Sequence, residues 1–144
     1  MIKKIDHINI SVTNLAEATK FFTDLLNFKI EQQGVLKGDW IDKVVGLKNV
    51  NATYTRLYIP NAETYLELIQ YQNPTGQKDP QTSQANQIGF RHMAFEVTGI
   101  EEICKKLKDA GVKFFSELET YNNKKKLCYF LGPDGVILEL AEYE

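Results

Sequence analysis

Phe90-Arg91-His92-Met93-Ala94-Phe95-Glu96-Val97 is the stretch on which the reading of the chain turns. It alternates, so Arg91, Met93, Phe95 and Val97 fall on one side of a strand and Phe90, His92, Ala94 and Glu96 on the other. Met93, Phe95 and Val97 require a core, which leaves His92 facing the opposite way. The chain contains two histidines, and the other sits in a matching stretch. Asp6-His7-Ile8-Asn9-Ile10-Ser11-Val12 puts Ile8, Ile10 and Val12 on one face and His7, Asn9 and Ser11 on the other. With His7 set over His92, Val12 falls over Val97 and Thr13 over Thr98. This is an internal duplication with one histidine in each copy.

The remaining elements repeat in the same order. After the His7 strand (about Lys4 to Val12), Thr13-Asn14 offers a helix cap, and Leu15, Ala18, Phe21, Phe22, Leu25 and Leu26 follow at helical spacing. Asn27 suits a left-handed cap, and Phe28 to Gln32 reads as a strand. The segment Gly34 to Asn51 has no equivalent in the other half; Trp40, Ile41, Val44, Val45 and Leu47 predict a short amphipathic helix ending near Gly46. Strands follow over Tyr54–Ile59 and Thr64–Tyr71. Residues 72–87 are rich in Asn, Pro, Gly, Gln, Ser and Thr, and read as a mobile connector. The second copy runs from the His92 strand through a helix over Ile100–Ala110, stopped by Gly111, to a strand over Val112–Phe115. A polar loop leads to Leu127–Leu131, which a Gly132-Pro133-Asp134-Gly135 turn joins to Val136–Glu142. Each half is strand, helix, strand, strand, strand. A half of this size would be marginal alone, so the 144 residues form one domain: a first module over about 1–71, the connector 72–87, and a second module over about 88–144.

Composition excludes several classes. A net charge of −2 with mixed signs argues against nucleic acid or an anionic membrane as partner. The one basic run, Lys124-Lys125-Lys126, reads as a solvated loop. Two cysteines are too few for a disulfide framework, and Cys104 reads as a small core residue. With no signal-peptide pattern and no apolar run of membrane-spanning length, a cytoplasmic, soluble protein is expected.

The last strand of each half carries the second signal. Tyr65-Leu66-Glu67-Leu68-Ile69 matches Ile137-Leu138-Glu139-Leu140-Ala141. If the leucines pack under the helices, Glu67 and Glu139 emerge on the face that carries His7 and His92. One histidine on a strand is ordinarily a half-exposed surface residue, and one glutamate between leucines is ordinarily the wet side of a strand. Two of each, repeated in one phase, are a donor set for a hard-to-borderline divalent metal.

The paired strand–helix–three-strand units, the two first-strand histidines, the two last-strand glutamates and the Gly-Pro-Asp-Gly turn together resemble the vicinal oxygen chelate superfamily. This is the glyoxalase I, bleomycin-resistance and extradiol dioxygenase group, and the resemblance covers essentially the whole chain. It implies an α+β fold of two tandem βαβββ modules whose mixed sheets curve into a cup, with helices outside. It implies one divalent ion (Ni, Co, Zn or Mn) on His7, Glu67, His92 and Glu139. Glyoxalase I and methylmalonyl-CoA epimerase are the members it most resembles. The chain departs from both: Asn9 stands where glutathione-using glyoxalases carry arginine, and Thr53-Tyr54-Thr55-Arg56 stands where epimerases carry an acidic base.

The resemblance implies a lyase or isomerase that abstracts a proton next to a carbonyl through a metal-bound enediolate, with Glu67 or Glu139 as the base. Asn9, Tyr54, Arg56, Tyr58 and Tyr129 are candidates to bind a small oxo- or hydroxy-carbonyl substrate, such as a thiol conjugate or CoA thioester; half-buried strand aromatics are the ordinary alternative for the tyrosines. A homodimer is one state open to it. Three rivals share the fold: an Fe(II) extradiol dioxygenase, a fosfomycin-type thiol transferase, and a non-enzymatic drug-sequestering protein. The first two typically use three protein ligands, and the third needs none.

Overall fold

In the computed structural model, which describes residues 1–144, the two histidine stretches become β1 (His7–Ser11) and β5 (His92–Glu96). The first unit, Met1–Gln77, continues with α1 (Leu15–Lys20), β2 (Lys29–Lys37), α2 (Asp39–Val45), β3 (Asn51–Tyr58) and β4 (Tyr65–Asn73). The second, Lys78–Glu144, continues with α3 (Ile100–Asp109), β6 (Glu119–Tyr121), β7 (Lys125–Leu131) and β8 (Ile137–Tyr143). Their sheets have the orders β1-β4-β3-β2 and β5-β8-β7-β6, the same arrangement twice. In each, the histidine strand runs parallel to the last strand and the other pairs are antiparallel. The α+β class and the tandem βαβββ order are therefore as expected. No helix is long and apolar enough to cross a membrane.

The leucines flanking each glutamate lie under helices. In the first unit α1 sits on β3 and β4, where Ala18, Phe22, Leu57, Leu66 and Leu68 are buried and Thr19 Oγ1 donates to Thr55 Oγ1 at 3.3 Å. Asn14 caps α1 as its sequence suggests, its side-chain oxygen accepting from Glu17 N at 3.1 Å. Asn14→Ala should destabilise the protein by about 1 kcal/mol, read from the urea midpoint. The expected single helix to Leu26 is instead α1 followed by a π-helical turn at Phe21–Leu25, closed by left-handed Asn27. The wider turn brings Phe22 and Phe28 together edge to face, centroids 5.4 Å apart.

In the second unit Ile100, Cys104 and Leu107 of α3 are buried, as are Cys128, Phe130, Leu138 and Leu140 of the sheet. Cys104 Sγ lies 3.4 Å from Cys128 Sγ, both as free thiols. Burial, helped by that contact, pushes the Cys128 thiol up to about 12. Cys128 should therefore resist thiol-specific reagents at neutral pH until the protein is unfolded, as thiol titration with and without denaturant would measure.

Five expected boundaries are corrected. The first strand starts at His7 and not Lys4. The second extends past Gln32 to Lys37, passing Gly34, where a Cβ would stand 2.8 Å from Tyr54 Cε1. Residues 112–115 form no strand; Phe114 makes an isolated bridge to Phe130, and the edge of the sheet is β6, inside the expected polar loop. The basic run is not all loop, since β7 begins at Lys125. Residues 72 and 73 of the expected connector belong to β4, and further along it Ser83 Oγ donates to Gly135 O at 2.9 Å. Gly135 has a φ of 79°, and a Cβ there would stand 2.5 Å from Ser83 Oγ, so the turn takes glycine on both counts.

Candidate functional site

The register fixes which side chains share a face. On β1 and β4, His7 lies opposite Tyr65 and Asn9 opposite Glu67; Arg56 of β3 is Glu67's other neighbour. On β5 and β8, His92 lies opposite Ile137 and Ala94 opposite Glu139, with Tyr129 of β7 beyond. In both units, then, the glutamate lies two residues past the histidine's partner on the adjacent parallel strand. Each unit brings its own histidine and glutamate onto one face.

In the first unit, Glu67 Oε1 accepts from Asn9 Nδ2 at 2.9 Å. His7 Nδ1 lies 2.8 Å from Asp6 Oδ2, and that hydrogen bond holds the Asp6 carboxyl below the usual carboxylate range. Arg56 donates from a terminal nitrogen to the same Asp6 oxygen at 3.3 Å. Its Nε lies 3.1 Å from Glu31 Oε2, an ion-pair distance without hydrogen-bond alignment. Its guanidinium carbon sits 4.1 Å above the Tyr65 ring. The negative charge of Glu31, with its hydrogen bond, raises the Tyr65 hydroxyl above the phenol range. Farther along the face, Tyr54 packs against buried Ile41, Val50, Ala52 and Ile69, so α2 covers this end of the Glu67 face. Trp40 and Val44 of α2 stay exposed, and Trp40 Nε1 donates to Lys37 O.

In the second unit, Glu139 is 5% exposed, so it is a buried carboxylate and not the wet side of a strand. It is paired accordingly. Oε2 lies 3.1 Å from His92 Nε2, and Oε1 3.2 Å from Lys125 Nζ. The hydrogen bond to Glu139 holds the Lys125 ammonium above its ordinary range. Tyr129 stacks obliquely on His92, centroids 4.9 Å apart, with its hydroxyl 3.5 Å from His92 Nε2; burial pushes that hydroxyl up.

A family model described as the glyoxalase/bleomycin resistance protein/dioxygenase superfamily matches residues 4–140. The chain belongs to that superfamily. A crystal structure of a glyoxalase family protein from Bacillus cereus superposes with a TM-score of 0.92 at 26% identity, covering 99% of this chain and 95% of that one. The uncharacterised protein YaeR of Escherichia coli is 26% identical over 141 residues, 98% of this chain and 97% of its own. Lactoylglutathione lyase of Schizosaccharomyces pombe is 26% identical over 142 residues, 96% of this chain. The chain spans less than half the length of the named glyoxalases it matches: 47% of the fission-yeast enzyme, and 17% of Saccharomyces cerevisiae glyoxalase I, where 55 residues are 40% identical.

Members of the superfamily bind a divalent metal, and the donors of this glyoxalase-family chain can be tested for fit. Two ligands at ~2.0–2.2 Å from one ion and at right angles lie about 3 Å apart. The His92 Nε2 to Glu139 Oε2 separation is 3.1 Å. His7 uses Nδ1 on Asp6, which leaves Nε2 for coordination. Glu67 keeps Oε2 once Asn9 holds Oε1. The donors are nitrogen and oxygen only, and they fit. No group of three or more His, Cys, Asp or Glu side chains is gathered in metal-binding geometry; each unit shows one histidine and one glutamate on one face.

Of the other candidates, Asn9 sits on Glu67, Tyr129 stacks on His92, and Arg56 is engaged with Asp6 and Glu31. Tyr54 is part of an apolar cluster, and half-buried Tyr58 lies opposite Lys29 at the far end of β3. Three residues were missed from the sequence. Asp6 was signalled only by adjacency to His7, and Lys125 only by being in phase with Tyr129 on a strand that starts earlier than its apolar residues suggest. Glu31 carried no signal, because it falls where the β2–β3 register shifts.

Proposed function

We propose that this chain is a divalent-metal-dependent lyase or isomerase that moves a proton next to a carbonyl, acting on a small oxo- or hydroxy-carbonyl compound in the manner of lactoylglutathione lyase or a methylmalonyl-CoA epimerase. The observation that carries the reading is the duplicated register, one histidine and one glutamate on one face in each unit. His7, Glu67, His92 and Glu139 would hold the ion. Bound there, Ni, Co, Zn or Mn would polarise a chelated carbonyl and acidify the neighbouring C–H.

The two glutamates differ in what holds them, and this supports a division of labour. Glu139 is buried and pinned by Lys125 and His92, which suits a fixed ligand. Glu67 is tied through one oxygen to a neutral amide, so it can swing to take a proton from carbon and return it. Return to the neighbouring carbon gives isomerisation; return to the opposite face gives epimerisation. Asn9 and Tyr129 lie beside the two glutamate–histidine pairs and would contact the polar end of the substrate. Arg56 is engaged and is not assigned that role.

Metal-loaded protein should wash solvent deuterium into the carbon next to the carbonyl of either methylglyoxal–glutathione hemithioacetal or methylmalonyl-CoA. Absence of exchange into both, and into a panel of oxo- and hydroxy-acid thioesters, sinks the reading and favours a sequestering protein or a thiol transferase.

A further inference from the structure

We propose that Asp6, clamped by Arg56, is the positioning residue that sets the tautomer of His7 and so presents its Nε2 as the coordinating nitrogen. The proposal rests on the metal reading for its consequence, but the tautomer itself can be read without metal. Neutral imidazole carries one N–H. A carboxylate accepting at Nδ1 keeps the proton there and leaves the lone pair on Nε2, whereas an unassisted histidine favours Nε2–H. Asp6 Oδ2 lies 2.8 Å from His7 Nδ1, the geometry of that bond.

An exposed aspartate would not hold such a bond by itself, because solvent competes for it. Asp6 has 60% of its side chain exposed. What restrains it is Arg56, which reaches from β3 to Asp6 on one side and to Glu31 on the other, at 3.3 and 3.1 Å. Glu31 sits at the bulge between Ile30 and Gln32, and a bulge re-aims the side chain it carries. The Tyr65 ring supports the guanidinium plane from beneath at 4.1 Å. Glu31, Arg56 and Asp6 thus form a relay across the sheet that ends on His7.

The second copy lacks the device. Arg91 stands in the place of Asp6, and His92 instead turns Nε2 directly to Glu139 at 3.1 Å. There, by the same rule, the carboxylate holds the proton on Nε2, so the first copy is the one set with Nε2 free before any ion binds. The relay also explains why Arg56, in phase with Glu67, is not free to hold a substrate anion.

Two readouts test this on the whole chain. In ¹⁵N NMR of the metal-free protein at alkaline pH, His7 should show the Nδ1–H tautomer. In Asp6→Ala it should shift to mainly Nε2–H, with His92 signals unmoved, and in Arg56→Met to a mixture. In Mn(II) titrations followed by EPR, Asp6→Ala should weaken binding by about 10–100-fold. Arg56→Met should weaken it less, and the double variant should match Asp6→Ala within about a factor of two, because Arg56 acts through Asp6. A His7 that stays Nδ1–H in Asp6→Ala overturns the proposal, as does Mn(II) affinity unchanged by it. Additive losses in the double variant overturn the role of Arg56. Wild-type protein that binds no Mn(II) while its His7 tautomer still follows Asp6 removes the metal reading and leaves the positioning role standing.

Discussion

Glu67→Gln should lower turnover by about 10²–10⁴-fold while leaving metal content near that of the wild type. Glutamine keeps a carbonyl oxygen that can still accept from Asn9 Nδ2 or ligate an ion, but it cannot take a proton from carbon. Little stability should be lost, since the one hydrogen bond Glu67 makes, at 2.9 Å, survives as amide to amide. Glu139→Gln is the informative contrast. It removes the countercharge of Lys125, whose side chain is 26% exposed, and the partner of His92. Its main effect should be on folding, by about 2 kcal/mol once the partial exposure of Lys125 is allowed for, and on metal affinity. Steady-state kinetics, metal analysis and urea unfolding on the two variants separate the roles. If Glu67→Gln turns over near the wild-type rate, the base lies elsewhere and Glu139 inherits the role.

The histidine strands and the glutamate strands were legible because their alternation is enforced from one side. Leu66, Leu68, Leu138 and Leu140 are buried under helices, so the polar residues between them share the other face. The duplication made this legible twice. What was not legible has the opposite character. All three residues of β6 are exposed, so no burial pattern marks the strand, whereas Phe114 and Phe115 carry the apolar pattern of a strand and supply only a bridge. Lys125 was hidden by its neighbours Lys124 and Lys126, a run that resembles a solvated loop until the partner of its middle member is seen. The partners of Arg56 were not legible for a related reason. Sequence phase puts it beside Glu67, but only the bulge at Glu31 and the proximity of Asp6 reveal that its charge is already used.

Stripping divalent metal with a chelator should abolish proton exchange outright, and stoichiometric Ni, Co, Zn or Mn should restore it to different extents. The effect exceeds that of any single substitution because a carboxylate base alone contributes ~10²–10⁴-fold and cannot by itself remove a proton from unactivated carbon at a useful rate. Removal should also lower thermal stability, since an ion that binds only the folded chain at a hundredfold excess over its Kd adds about 2.7 kcal/mol. Each proposed ligand predicts its own share. His7→Ala and His92→Ala should both weaken the ion, but through different surroundings: the first leaves Asp6 and Arg56 paired with each other, while the second leaves Glu139 with Lys125 as its remaining partner and Tyr129 without the ring it stacks on. His92→Ala should therefore destabilise the metal-free protein more than His7→Ala, and calorimetry on stripped samples reads that difference directly. Exchange that persists at full rate in chelated protein shown by elemental analysis to be metal-free would place the chemistry on side chains alone. The duplicated histidines and glutamates would then be the remains of a metal centre and not a working one.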